Sequence, residues 1–248
     1  MKNWKISLWL LATYAAMHMG SIFLSQGLFD YFPWNEQYSE KDIAYRASAW
    51  ALFISNALAA IVFLAFIFRN KKFFHIFKGK KSTTGNAILW GIIGFFLVMG
   101  GQMLAGMIEG LFGITPGSDN TAILSDIAKV SPIIILSIVL FAPFLEEIVF
   151  RRILFGGIYQ KTNFWVAAIA SALIFAAVHN ELEHLLVYMA PGLIFSYLYY
   201  RTKRLLTPMI AHLLMNGFVV IANLNLEKLQ KYLEELESLK QGIIIFFQ

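Results

Sequence analysis

The sequence predicts an all-α, polytopic integral membrane helix bundle. Three observations carry that reading. Of the 248 residues, 58% are hydrophobic and only 14% charged, against roughly 45–50% and 25% in soluble globular domains. Mean hydropathy is +0.64. Several apolar runs are long enough for the ~20 residues that a bilayer-crossing helix needs, and a soluble fold of this length has too little interior to hide them.

Seven candidate spans follow in order: 4–25, 47–68, 86–112, 133–158, 164–180, 185–200 and 205–224. The first begins MKNWKISLWLLATYAAMHMGSIFL, which imitates a signal peptide. Its apolar part is long and no small-residue cleavage site ends it, so it reads as a retained helix. The fifth and sixth spans are short and meet at the polar HNELEHLL, which predicts a tight hairpin. The tail 225–240 places leucines at 226, 229, 233, 236 and 239 between charges, the pattern of an amphipathic surface helix, and GIIIFFQ after it is too short to span. No repeat, low-complexity segment or soluble domain interrupts the chain, which reads as one membrane domain over 1–248.

The net charge of +5 does not point to nucleic acid, because the basic residues form short clusters between apolar runs. RNKKFFHIFKGKK (69–81) holds six Lys/Arg and no acid, the composition of a loop facing anionic lipid. Lys2 and Lys5, this cluster, Lys161 and the RTKR run at 201–204 alternate with the acidic stretches Asp30–Asp42, Asp119–Asp126 and Glu181–Glu183. The positive-inside rule then puts the N-terminus in the cytoplasm, in a membrane that is expected to be bacterial. Cysteine is absent, so no disulfide, thiolate-held cluster or thiol nucleophile is available.

FLEEIVFRR (144–152) breaks the fourth span with four charges. Each ionisable group deep in a bilayer costs about 2.5–3.5 kcal/mol on insertion scales, so these need partners, water or a task. Glu147 and Arg151 are i,i+4 and can pair, whereas Glu146 points about 100° away. A structural salt-bridge cluster, or a span ending at Phe144, would also account for the charges. Two further pairs weigh against that. FAAVH sets Phe175 and His179 on one helix face, and HLLMN does the same for His212 and Asn216.

The chain turns near Thr162, and Glu146 and His179 lie almost equally far before and after it. At 1.5 Å per residue both reach roughly 24–26 Å from the turn, so they should stand side by side. His212 and Asn216 climb about 12–20 Å from the loop at 201–204, a shallower depth that tilt or a broken helix would have to absorb. Together the groups suffice for peptide hydrolysis without a covalent intermediate. A carboxylate beside an imidazole takes a proton from water, and a second imidazole and an amide donate to the oxyanion.

These residues resemble the CAAX-prenyl-protease and bacteriocin-processing (CPBP, Abi) family of intramembrane endopeptidases over about 130–224. EEIVFR (146–151) is similar to the family's E-E-x-x-x-R, with Pro143 just upstream. FAAVH is similar to F-x-x-x-H, and HLLMN to H-x-x-x-N/D. The segment 191–212 also looks like the family's passage between its last motif helices. The resemblance implies about eight helices around an intramembrane polar cavity, hence seven to eight transmembrane helices in all, with 130–224 as catalytic core and 225–248 as tail. It implies that Glu146 and His179 activate water, that His212 and Asn216 form the oxyanion site, that Glu147 and Arg151 hold the geometry, and that Phe175 packs beneath the histidine. It implies a membrane-associated peptide or protein substrate, linked in the bacterial branch to peptide-signal maturation, bacteriocin processing or self-immunity. No cofactor is expected. H-E-x-x-H does not occur, although Glu146, His179 and His212 are chemically competent zinc ligands. Arg152 departs from the pattern, where the family has a small residue, and the first 130 residues carry no matching motif.

Two other classes fit parts of this. A non-catalytic membrane partner or immunity protein would use the same polar cluster structurally. A transporter would use it as an ion path, but no repeated half or paired broken helices are present.

Overall fold

The computed structural model describes residues 3–226, 228–232 and 234–236. Three long helices come first: α1 (Asn3–Tyr31), α2 (Glu40–Arg69) and α3 (Thr84–Leu111). The short α4 (Asp119–Val130) precedes a composite helix over 134–159, here α5. Then follow α6 (Phe164–Ala177), α7 (Leu185–Thr202) and α8 (Leu206–Leu224). Helices α1, α2, α3 and α8 are long and apolar enough to cross a membrane alone. The predicted fourth to sixth spans appear as α5, α6 and α7. Residues 226, 228–232 and 234–236 are helical with Leu226, Leu229 and Leu236 exposed, while Leu233, Leu239 and GIIIFFQ lie outside the described residues.

Helix starts follow local chemistry. Ser39 accepts from the Asp42 amide at 3.1 Å, Thr83 from Asn86 at 3.2 Å, Ser118 from Thr121 at 3.0 Å, and Asn163 from Val166 at 3.1 Å. Each oxygen satisfies a first-turn donor that the helix leaves orphaned.

Helix α5 is not the regular helix that the apolar run 133–158 predicts. It alternates α and π turns, with π segments at Ser137–Phe141 and Glu147–Phe155. Pro143 explains the first, since its ring would clash with the carbonyl four residues earlier, and the wider turn before it relieves the contact. The second segment is buried almost all round, from Glu147 to Ile153. It is the central post of the fold.

Helix α1 packs along α2 and touches the second π segment. On the other side α3 packs against α7 and α8, and α6 against α7. Small residues allow the close approach, as is usual between membrane helices. A Cβ on Gly192 would lie 2.9 Å from the Ala172 Cα.

The two ends of the bundle differ. At one, the Ser82 amide donates to Thr202 O at 3.1 Å, Lys203 donates to Lys78 O at 2.7 Å, and Arg204 to Ser82 O, which ties the basic loops together. At the other, Glu109 at the end of α3 accepts from the Leu186 and Val187 amides at 2.8 and 3.2 Å and from His184 at 3.0 Å. A buried carboxylate thus caps the start of α7, where the helix dipole favours it.

Candidate active site

Between these groups of helices lies a cavity of about 450 Å³, walled mostly by apolar side chains. Glu146, Phe175, His179, His212 and Asn216 all line it. The structure therefore brings together the residues singled out by the three motifs, with Glu147 and Arg151 packed directly behind.

The adjacent glutamates have different surroundings. Glu147 is fully buried. Its Oε2 accepts from Arg151 Nε at 3.0 Å and its Oε1 from Arg151 Nη2 at 3.5 Å and His212 Nδ1 at 3.0 Å. Arg151 is equally buried, reaches Ser171 Oγ at 3.4 Å, and sits over the rings of Phe175 and Phe195 at 5.0 and 5.4 Å. Ser171 in turn donates to Phe150 O at 2.8 Å. Every charge in this cluster has a geometric partner, which is what lets it persist in a dry interior. Glu146, by contrast, has a side chain 17% exposed, and its nearest ionisable contact is His212 Nε2 at 3.8 Å, too long for a direct hydrogen bond.

Hydrogen-bond chemistry fixes both imidazoles. A carbonyl only accepts, so His179 donates Nδ1–H to Phe175 O at 2.7 Å, leaving Nε2 as the acceptor of the neutral ring. His212 likewise donates Nδ1–H to Glu147, and its ring stacks on Phe195 at 4.9 Å. Asn216 commits one amide N–H to Ile138 O at 2.8 Å and keeps a second. Ile138 belongs to the first π segment, where a widened turn leaves a carbonyl for that side chain. The predicted shallowness of His212 does not materialise. Its Nδ1 stands 3.0 Å from Glu147 Oε1, so the two helices meet at one depth.

Arg152, the charge without a counterpart in the motif, points away from the cavity. Its Nε donates to Phe73 O and its guanidinium lies 3.8 Å from the Phe73 ring centroid. It anchors the 3₁₀ turn Lys71–Phe74 of the basic loop inside the bundle. Among the described residues, no three His, Cys, Asp or Glu side chains are grouped closely enough to hold a metal ion, the set Glu146, His179 and His212 included.

The motif-free N-terminal half also contributes. Tyr14 and His18 of α1, Asn56 of α2 and Gln102 of α3 line the same cavity. Tyr14 and His18 meet edge to face at 4.7 Å. The only sequence signal was polarity inside an apolar run.

A sequence model of the type II CAAX prenyl endopeptidase Rce1-like family matches residues 128–218. A putative membrane peptidase, YdiL of Bacillus subtilis, is 37% identical over 236 residues, covering 95% of each chain. The chain belongs to the Rce1-like family. The membrane-embedded CAAX protease MroQ of Staphylococcus aureus is 42% identical over 156 residues, 60% of this chain and 63% of that one. No solved structure matches. Family membership makes this Rce1-like protein an integral membrane peptidase, whose substrate is a peptide or protein in the membrane.

Proposed function

We propose that the protein is an intramembrane endopeptidase of the glutamate type, with Glu146 as general base. One observation carries the assignment: Glu147 is sealed and spent on Arg151 and His212, while Glu146 faces the cavity with a carboxylate free to meet water. Glu146 takes a proton from water, and His179, through its unprotonated Nε2, holds the same water in line. The hydroxide adds to the scissile carbonyl. The second Asn216 N–H and Nε2–H of a doubly protonated His212 receive the oxyanion. Glu146 then passes its proton to the departing amine, and the C–N bond breaks with atoms and charge balanced. Glu147 and Arg151 hold His212 in place, and Phe175 carries both rings.

A membrane-associated peptide suits a cavity that is apolar with a few polar groups. We place the N-terminus at the cytoplasmic face, on the basic loops at 69–81 and 201–204.

The test is cleavage of a quenched fluorogenic peptide with an apolar centre, presented in the micelles that hold the purified protein. Glu146→Gln should lower kcat by about 10²–10⁴-fold, the range for loss of general base catalysis, with the protein still folded. Full activity in that variant would remove Glu146 as the base, and a parent protein that cleaves nothing would leave a non-catalytic membrane partner. Retention of activity in metal-stripped protein supports the glutamate mechanism, and loss restored by zinc overturns it.

A further inference from the structure

His179 lies beyond the last turn of α6, at a point where the chain is leaving regular structure. Residues 178–180 form a turn, and Asn180 adopts a left-handed φ of 57°. One hydrogen bond, to Phe175 O, selects its tautomer but leaves the ring free to pivot about that contact. Something else must hold its plane.

The Tyr188 ring does so. It stacks on the imidazole at a centroid distance of 4.3 Å with 28° between planes, while Phe175 covers the ring at 4.8 Å and 55°. Tyr188 is itself pinned. Its hydroxyl donates to Glu181 Oε2 at 2.7 Å, and with its proton so used it accepts from Ser118 Oγ at 3.0 Å. Glu181 Oε1 accepts from the Asn120 amide in the first turn of α4 at 2.6 Å. The chain of contacts therefore runs from the start of α4, through Glu181 and the Tyr188 hydroxyl, to the face of the imidazole. None of Ser118, Asn120, Glu181 and Tyr188 belongs to a motif, and Tyr188 comes from α7, which carries no motif residue at all.

We infer that Tyr188 is a positioning residue for His179, locked in turn by Glu181. An aromatic face beneath an imidazole restricts its rotation at little entropic expense, because Tyr has few rotatable bonds and its outer end is already tied. A misplacement of about 1 Å at a reacting group can cost ~10²-fold in rate. The inference rests on the proposed role of His179 for its effect on rate, but not for its effect on the ring.

The experiment reads the two separately. Protein labelled at histidine gives five ring signals to assign, and His179→Gln identifies one of them. The stack should displace the His179 ring protons upfield. Tyr188→Leu should remove the larger part of that displacement, leaving the share due to Phe175, while the His212 signals stay in place, which also shows that the bundle is folded. Tyr188→Phe should keep most of it, and Glu181→Gln should broaden the His179 signals by unpinning the ring. On the fluorogenic peptide, Tyr188→Leu should lower kcat by about 10²-fold with KM little changed, and Tyr188→Phe should restore most of the rate. If the ring signals respond so but the parent protein cleaves nothing, the positioning stands and the peptidase reading of the site falls. If His179 signals are the same in Tyr188→Leu as in the parent, the inference is wrong.

Discussion

Glu147 and Arg151 have relative exposures of 0%, so each depends on the other. Removing one partner of such a pair strands a buried charge and costs about 3–5 kcal/mol. Arg151→Met should therefore lower the thermal midpoint in detergent sharply, and the double change Glu147→Leu/Arg151→Met should recover part of it. Glu109 makes a separate case. Glu109→Leu orphans two α7 amides and His184, and each stranded group costs about 1–3 kcal/mol. Loss of midpoint without any change in Glu146 chemistry is expected. Sequence reading found Glu147 and Arg151 because i,i+4 spacing announces a pair. It missed Glu109, whose partners are main-chain amides some 75 residues away and leave no mark on spacing.

At the scale of elements, the contact that delivers His179 is the α6–α7 packing, set by Gly192 against Ala172. Gly192→Ala brings a methyl to within 2.9 Å of backbone that cannot swing aside. Such overpacking costs about 1–3 kcal/mol, and here it should also widen the hairpin, seen as a reduced His179 ring displacement and a lower midpoint. All the apolar helices were legible as hydropathy runs, and α6–α7 as a hairpin. The π turns of α5 were not. They answer to Pro143 and to burial on every side, and a periodicity search for 3.6 residues per turn sees only one apolar stretch.

For the molecule as a whole, the α4 end is held by carboxylates in loops. Partial burial by itself would raise the Glu181 carboxyl, but the Asn120 amide, the Tyr188 hydroxyl and His184 together hold it below its ordinary value of 4.5. A lowered carboxylate pKa means that the contact stabilises the fold fully above the unfolded value and loses that contribution as pH falls through the folded one. The protection of the Asn120 amide, measured against its intrinsic exchange rate at each pH, should thus fall in acid below about pH 4.5, and Glu181→Gln should remove that acid dependence. The cavity residues of the first half, Tyr14, His18, Asn56 and Gln102, were illegible for another reason. Each is one polar side chain on a separate helix, and only the folded bundle gathers them.

The change from α to π winding in α5 falls between positions 146 and 147. Chemically identical neighbours stand on either side of it, one facing the cavity and one sealed among Arg151 and His212. It follows that their order is not exchangeable with their identity: a one-residue deletion between Pro143 and Glu146 would keep every charge in the motif yet carry the wrong carboxylate into the cavity-facing place.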